Sequence, residues 1–218
     1  MNYAMNLIEN LKKHPNGIKL FLVLFYAVGV TAIYMPFSAN LFISLTPLAL
    51  IMSFGLLMIF HEKFDFKTIG IFTLIFVAGY FVEVLGVNTG LIFGNYKYGE
   101  TLGIKLLETP LIMGLNWILM IYLTASVVEK YQIPVLLKIL ISSTIMVGYD
   151  LVLEQVAPQM DMWNWQNSSI PMQNYLAWFG IAVIFHGLLK ISKTKTKNEL
   201  SVTILICQIL FFVALLYK

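Results

Sequence analysis

Seven apolar blocks dominate the chain, each close to the roughly 20 residues an α-helix needs to cross a hydrocarbon core. They run from about Ile18 to Met35, Asn40 to Phe60, Thr68 to Val87, Pro110 to Val128, Pro134 to Val156, Asn174 to Leu189 and Leu200 to Leu216. In lipid, every backbone polar group has to be satisfied internally, so segments of this length and composition fold as helices. The expected fold class is all-α: a polytopic membrane helix bundle of about seven transmembrane helices. The connections are too short to hold a soluble domain, so residues 1–218 are expected to form a single transmembrane domain, multi-pass in the cell membrane. A hydrophobic share of 59% against 11% charged residues agrees. The first block follows Lys12, Lys13 and Lys19 and exceeds a typical signal-peptide core, so a retained span is expected.

Lysine placement sets an orientation. All 14 basic residues are lysines. Seven spans with a cytoplasmic N-terminus put Lys12, Lys13, Lys19, Lys63, Lys67, Lys130, Lys138, Lys190, Lys193, Lys195 and Lys197 inside. Only Lys97, Lys105 and Lys218 are left outside. The formal charge of +3 therefore reads as topology, and no nucleic-acid partner is expected. Cys207 lies in an apolar run and reads as a small core residue. His61, in the charged turn after the second block, and His186, late in the sixth, read as solvated or interfacial. No spacing of His, Cys and acids suits a metal, no phosphate-cradling loop precedes a lysine, and no nucleophile elbow is present. Neither a metal nor a cofactor is expected.

The chemistry concentrates elsewhere. Glu83 ends an apolar run and opens a stretch with Gly86, Gly90, Gly94, Gly99 and Gly103. In the expected topology the third block runs outward, which puts Glu83 in its outer third, with Asp150 and Glu154 near the outer end of the fifth. Asp150 and Glu154 are four residues apart and share a helix face. Ionisable side chains at such depth are functional-site candidates by default. Desolvation and like charge both favour the neutral acid, so at least one of the three is expected to hold a proton and to serve as a proton donor. The blander reading has these acids capping helices, reaching the interface or pairing with Lys138.

The fourth and sixth blocks run inward, bringing Asn116, Trp117, Asn174 and Trp178 to the same level. Above them lie two irregular segments, residues 88–109 with Tyr96 and Tyr98, and residues 157–173 with Asp161, Trp163, Asn164 and Trp165. These are expected to fold back over the membrane face. Singly, each tryptophan reads as an interfacial belt aromatic. Together with the amides and acids, the four tryptophans suggest an apolar pocket whose ring faces stabilise a cation. Gly86 and Gly90 read as a small-residue contact or as turn formers.

An ordered set of short elements resembles the membrane-integral carotenoid biosynthesis proteins related to gamma-carotene 1'-hydroxylase and bisanhydrobacterioruberin hydratase. The set begins with Glu83-Val84-Leu85-Gly86-Val87-Asn88-Thr89-Gly90, Phe93-Gly94-Asn95-Tyr96-Lys97-Tyr98 and Leu102-Gly103. It continues with Pro110, Asn116-Trp117, Tyr149-Asp150-Leu151, Trp163-Asn164-Trp165, and Pro171 with Asn174 and Trp178. The likeness covers about residues 80 to 180. Glu154-Gln155 departs from it, standing where that family tends to have Asp-Pro, with the next proline at Pro158. The resemblance implies cofactor-independent addition of water across the terminal 1,2 double bond of an acyclic, lycopene- or gamma-carotene-like carotenoid, giving a tertiary hydroxyl. Asp150, then Glu83, then Glu154 are the expected catalytic carboxyl groups. Asn116, Trp117, Trp163, Trp165, Asn174, Trp178, Tyr96 and Tyr98 are expected to bind substrate. Membrane lipid and other carotenoid enzymes are the expected partners. Two other classes use similar residues. A small proton-coupled transporter or lipid-binding protein would favour paired halves with broken helices, and no internal repeat is seen. A membrane prenyltransferase would need a second acidic motif and more basic groups than Lys97 and Lys105.

Overall fold

A computed structural model describes residues 2–166 and 168–218. In chain order the elements are α1 (Asn2–Lys13), α2 (Pro15–Tyr34), α3 (Ala39–Ser44), α4 (Thr46–Ile59), α5 (Phe66–Thr89), β1 (Tyr96–Tyr98), β2 (Lys105–Leu106), β3 (Thr109–Pro110), α6 (Ile112–Glu129), α7 (Val135–Val156), β4 (Trp163–Trp165), α8 (Met172–Ile191) and α9 (Ser201–Leu215). Every apolar block is helical. Five helices, α2, α5, α6, α7 and α8, are long and apolar enough to cross a membrane, whereas α4 and α9 have only 14 and 15 residues.

The second block is broken rather than continuous. Pro47 lies in the first turn of α4, where its missing N–H is harmless. A continuous helix would press the proline ring on the carbonyl of Ile43. That carbonyl is taken instead by the Thr46 hydroxyl at 2.7 Å, and the chain breaks at Leu45.

The bundle is built round α6, which packs against α4, α5, α7, α8 and α9 and buries most of its side chains. Two glycines let α5 and α6 approach closely: a side chain at Gly79 would enter Trp117, and one at Gly114 would meet the Phe76 carbonyl. The outer helices present Leu20, Leu24, Val28, Leu48, Leu74, Leu85, Leu176 and Ile184 outward. An exterior this apolar suits contact with lipid rather than water.

Helix α5 starts at an Asp65 cap, whose carboxylate accepts from the Thr68 amide at 2.8 Å. It continues to Thr89, two residues beyond the expected end, and stops at Gly90 in the left-handed conformation, φ 67°. Glu83 therefore lies inside the helix, in its last two turns. Neither Gly86 nor Gly90 makes the expected small-residue contact between helices. Gly86 accommodates the Phe93 ring and Gly90 sits against Asn95, so both serve the return of the chain onto its own helix.

The two irregular segments form one structure. Strand β1 pairs antiparallel with β4 in the register Tyr96–Trp165, Lys97–Asn164 and Tyr98–Trp163. Strand alternation then buries Tyr96, Tyr98, Trp163 and Trp165 and leaves Lys97 and Asn164 outside. The pairing is extended by Gly99 N–H to the Met162 carbonyl (2.9 Å) and Glu100 N–H to Asp161 Oδ2 (2.9 Å). Strands β2 and β3 form a small hairpin turning through Leu107 and Glu108, both at positive φ.

Both histidines are buried, contrary to expectation. His61 is 3% exposed, with Nδ1 2.8 Å from the Tyr122 hydroxyl. His186 is 1% exposed and is held by Thr124, Ser143 and the Ala182 carbonyl. Each has found polar partners inside the bundle, which removes the cost that would drive it to the interface.

Candidate active site

Three buried carboxyl groups meet under the paired strands. Glu83 Oε2 accepts the hydroxyls of Tyr96 (2.8 Å) and Tyr98 (2.6 Å), and its Oε1 accepts Trp117 Nε1–H at 2.9 Å. Glu154 Oε2 accepts the indole N–H groups of Trp163 (2.9 Å) and Trp165 (2.7 Å), and its Oε1 accepts the Asn174 amide at 3.0 Å. The same Asn174 amide donates to Asp150 Oδ2 at 3.1 Å. Asp150 Oδ1 is buried with no hydrogen-bond partner among the described residues.

Local structure explains why the sequence produces this set. The i, i+4 spacing stacks Asp150 and Glu154 on one face of α7, and α8 starts after Pro171 so that Asn174 falls in its first turn, opposite both acids. Strand alternation aims the four rings of β1 and β4 at the two glutamates. Gly94, at φ 104°, brings Pro171 and Trp165 against the backbone, where a side chain would collide with the proline.

Among the described residues no lysine pairs with any of the three acids: the ion pairs are Lys105–Glu100, Lys190–Glu129 and Lys195–Glu62. Lys105 approaches the site only through the backbone, donating to the Tyr98 carbonyl at 3.0 Å. Lys138 donates to the Glu129 carbonyl and not to the acids. Negative charge on these acids would have only neutral N–H and O–H donors to compensate it, an arrangement that is costly unless every donor is in place. Burial, reinforced by the Glu83 carboxylate, holds the phenols of Tyr96 and Tyr98 well above the usual tyrosine range, so both remain donors. Among the described residues no group of three or more His, Cys, Asp or Glu is placed to hold a metal ion.

Trp178 stacks on Trp117 with centroids 4.4 Å apart and planes inclined by 20°, and Phe185 meets Trp117 edge-on at 5.6 Å. None of the four tryptophans behaves as a belt residue: all are buried, and three donate to a glutamate. The rings and acids close round a cavity of about 10 Å³, on the scale of one water molecule. Glu83, Glu154, Asn174 and Trp178 line it, together with Phe93 and Met113. Phe93 belongs to the Phe93-to-Tyr98 element but was not expected at the site, and no local pattern marks Met113. Asp150 is absent from that wall and is linked to it through Asn174. Asn116 is buried on α6 but makes no hydrogen bond to the three acids among the described residues.

Comparison with known proteins adds one finding. A family model described as carotenoid biosynthesis protein matches residues 21–217. No curated protein and no solved structure matches the chain.

Proposed function

The chain belongs to the carotenoid biosynthesis protein family, and we propose that it is a hydratase acting on the end of an acyclic carotenoid. Water adds across the terminal 1,2 double bond and leaves a tertiary hydroxyl. The observation that carries this reading is the unequal treatment of the three acids. Glu83 and Glu154 each accept three hydrogen bonds, as suits acceptor-only carboxylates, while Asp150 Oδ1 has no donor facing it among the described residues and so has room for a proton of its own.

In this mechanism Asp150 gives its proton to C2, and the π electrons leave C1 as a tertiary cation. The Trp178 face and the ionised glutamates stabilise that charge, and no lysine among the described residues pairs with any of the three acids. Water attacks C1, forming the C–O bond. Its surplus proton goes to Glu154 or Glu83 and returns to Asp150, so the net change is one added water. A cavity the size of one water excludes an isoprenoid end, so binding requires the wall to part. The natural place is β1 and β4, anchored to the glutamates through two phenols and two indoles.

The proposed topology has seven spans, the broken α3–α4 pair and α9 included, with a cytoplasmic N-terminus and the site toward the outer leaflet of the cell membrane. An extended carotenoid is about as long as the hydrocarbon core, roughly 30 Å, so a substrate across the bilayer places one end there. Surrounding lipid and neighbouring carotenoid enzymes are the partners this arrangement implies.

The test is expression in a host that accumulates lycopene or gamma-carotene, with mass analysis of the pigments. A product heavier by one water is expected. Its absence, with the protein shown to be in the membrane, overturns the reading.

A further inference from the structure

A polar pocket of about 150 Å³ lies between the α4–α5 connection and the α8–α9 connection, lined by Lys63, Lys67, Lys193 and Lys195 together with Glu62 and Asp65. All four lysines are exposed, so their ammonium groups are open to a ligand from outside. Lys67 stands in the first turn of α5, and Glu83 lies in its last two turns, about 24 Å further along the axis at roughly 1.5 Å per residue. The pocket is therefore at the opposite end of the bundle from the carboxylate site. The end of α8 helps to build it. Lys193 N–H bonds to the Lys190 carbonyl (3.1 Å) and Thr194 N–H to the Leu189 carbonyl (3.2 Å), with Lys193 at φ 55°, a place glycine usually takes. That turn carries the chain toward the α4–α5 connection, where Lys195 pairs with Glu62 at 3.3 Å.

The two acids do not neutralise this pocket. Glu62 is engaged by Lys195, and Asp65 caps α5 through the Thr68 amide. Among the described residues the ammonium groups of Lys63, Lys67 and Lys193 make no ion pair. Three like charges around one pocket repel, and an anion with several oxygens relieves the repulsion by accepting from more than one ammonium at once. The flanking residues add a second requirement. Phe66, the first residue of α5, is 96% exposed, and Ile191, the last of α8, is 78% exposed. A small soluble anion would leave both uncovered, whereas a ligand that joins a phosphate to hydrocarbon matches the charge and the apolar surface together. Basic pockets between membrane helices at the headgroup level bind anionic lipids in this way.

We propose that this pocket is a binding site for an anionic phospholipid, its phosphate held by Lys63, Lys67 and Lys193 and its acyl chains lying against Phe66 and Ile191. The site differs from the diffuse attraction of a lysine-rich membrane face because it depends on particular lysines rather than on their total number. The proposal does not depend on the hydration reaction.

Full-length protein immobilised in dodecyl maltoside is equilibrated with radiolabelled phosphatidylglycerol, and unlabelled phosphatidylglycerol or phosphatidylcholine with the same acyl chains is added as competitor. Saturable binding is expected, with the anionic lipid competing about tenfold better than the zwitterionic one. Lys63→Gln/Lys67→Gln/Lys193→Gln should bring that preference below about twofold, and Lys193→Gln alone, expected to lower it about threefold, serves if the triple variant does not accumulate. Lys12→Gln/Lys13→Gln/Lys130→Gln removes the same charge from the same end of the bundle but from outside this pocket, and should keep the preference. Inorganic phosphate at matched ionic strength should not displace the lipid, and Asp150→Asn should bind it unchanged. Equal competition by the two lipids, a preference that survives the pocket variants, equal loss in the control variant, displacement by inorganic phosphate, or loss of binding in Asp150→Asn overturns the proposal.

Discussion

The phenol of Tyr98 donates to Glu83 Oε2 at 2.6 Å, tying the strand that follows α5 back onto the helix it has just left. Tyr96 and Trp117 complete the set, so one buried carboxylate gathers a strand, its own helix and α6. Removing a donor from such a group leaves an acceptor buried and short of partners.

Tyr98→Phe keeps the ring and deletes that donor. A hydrogen bond to a charged group is worth about 1.5–3 kcal/mol, so the variant should melt several degrees lower in detergent, and pigment hydration should fall with it. Tyr96→Phe should act in the same direction. The double variant should depart from additivity because both phenols serve one oxygen. Thermal melts of the four proteins check this.

Asp150→Asn tests the proton source. The asparagine still offers an oxygen to Asn174, so thermal stability should change little, whereas loss of a general acid should lower conversion by about 10²-fold or more. Glu83→Gln should cost both activity and stability, since it exchanges an acceptor-only group for one that confronts three donors with an NH₂. Pigment mass analysis beside melting curves separates the two effects, and full activity in both variants refutes the site.

Gly79 sits directly beneath Trp117, and an added side chain would overlap the indole. Gly79→Ala should push α5 and α6 apart and loosen the Trp117–Glu83 hydrogen bond, at an overpacking cost of about 1–3 kcal/mol. A lowered melting temperature together with a shifted tryptophan emission spectrum is the expected result.

His61, in the connection between α4 and α5, has its basicity lowered from the ordinary value of 6.5, chiefly by burial. The unfolded chain therefore binds a proton that the folded chain resists, and stability falls as pH drops through about 6.5 and below. Melting temperatures across pH 5 to 8 should show this loss on the acid side, and His61→Gln should remove its share.

The helical blocks were readable because hydropathy and length report what a segment can do in lipid without reference to its neighbours. The break at Leu45 has an equally local cause, since Pro47 acts through the backbone of its own segment. The histidines were misread for the opposite reason. His61 lies in a charged turn and His186 one helical turn before Lys190, but their burial depends on Tyr122, Thr124 and Ser143, contributed by other helices.

Local pattern also indicated that Glu83, Asp150 and Glu154 stood out, that the last two shared a face, and that tryptophans and amides were nearby. It did not assign partners. The register of β1 on β4 decides that the tyrosines face Glu83 and the strand-borne tryptophans Glu154, because strand pairing converts two distant irregular segments into one inner face of four rings. The start of α8 decides that Asn174 reaches two acids at once, while Asn116, its apparent counterpart, reaches none among the described residues. Composition and spacing are one-dimensional and specify which groups a membrane helix carries. Which of them keeps an oxygen without a donor follows from how many donors the packed bundle can bring to each carboxyl group, and only the tertiary arrangement counts those.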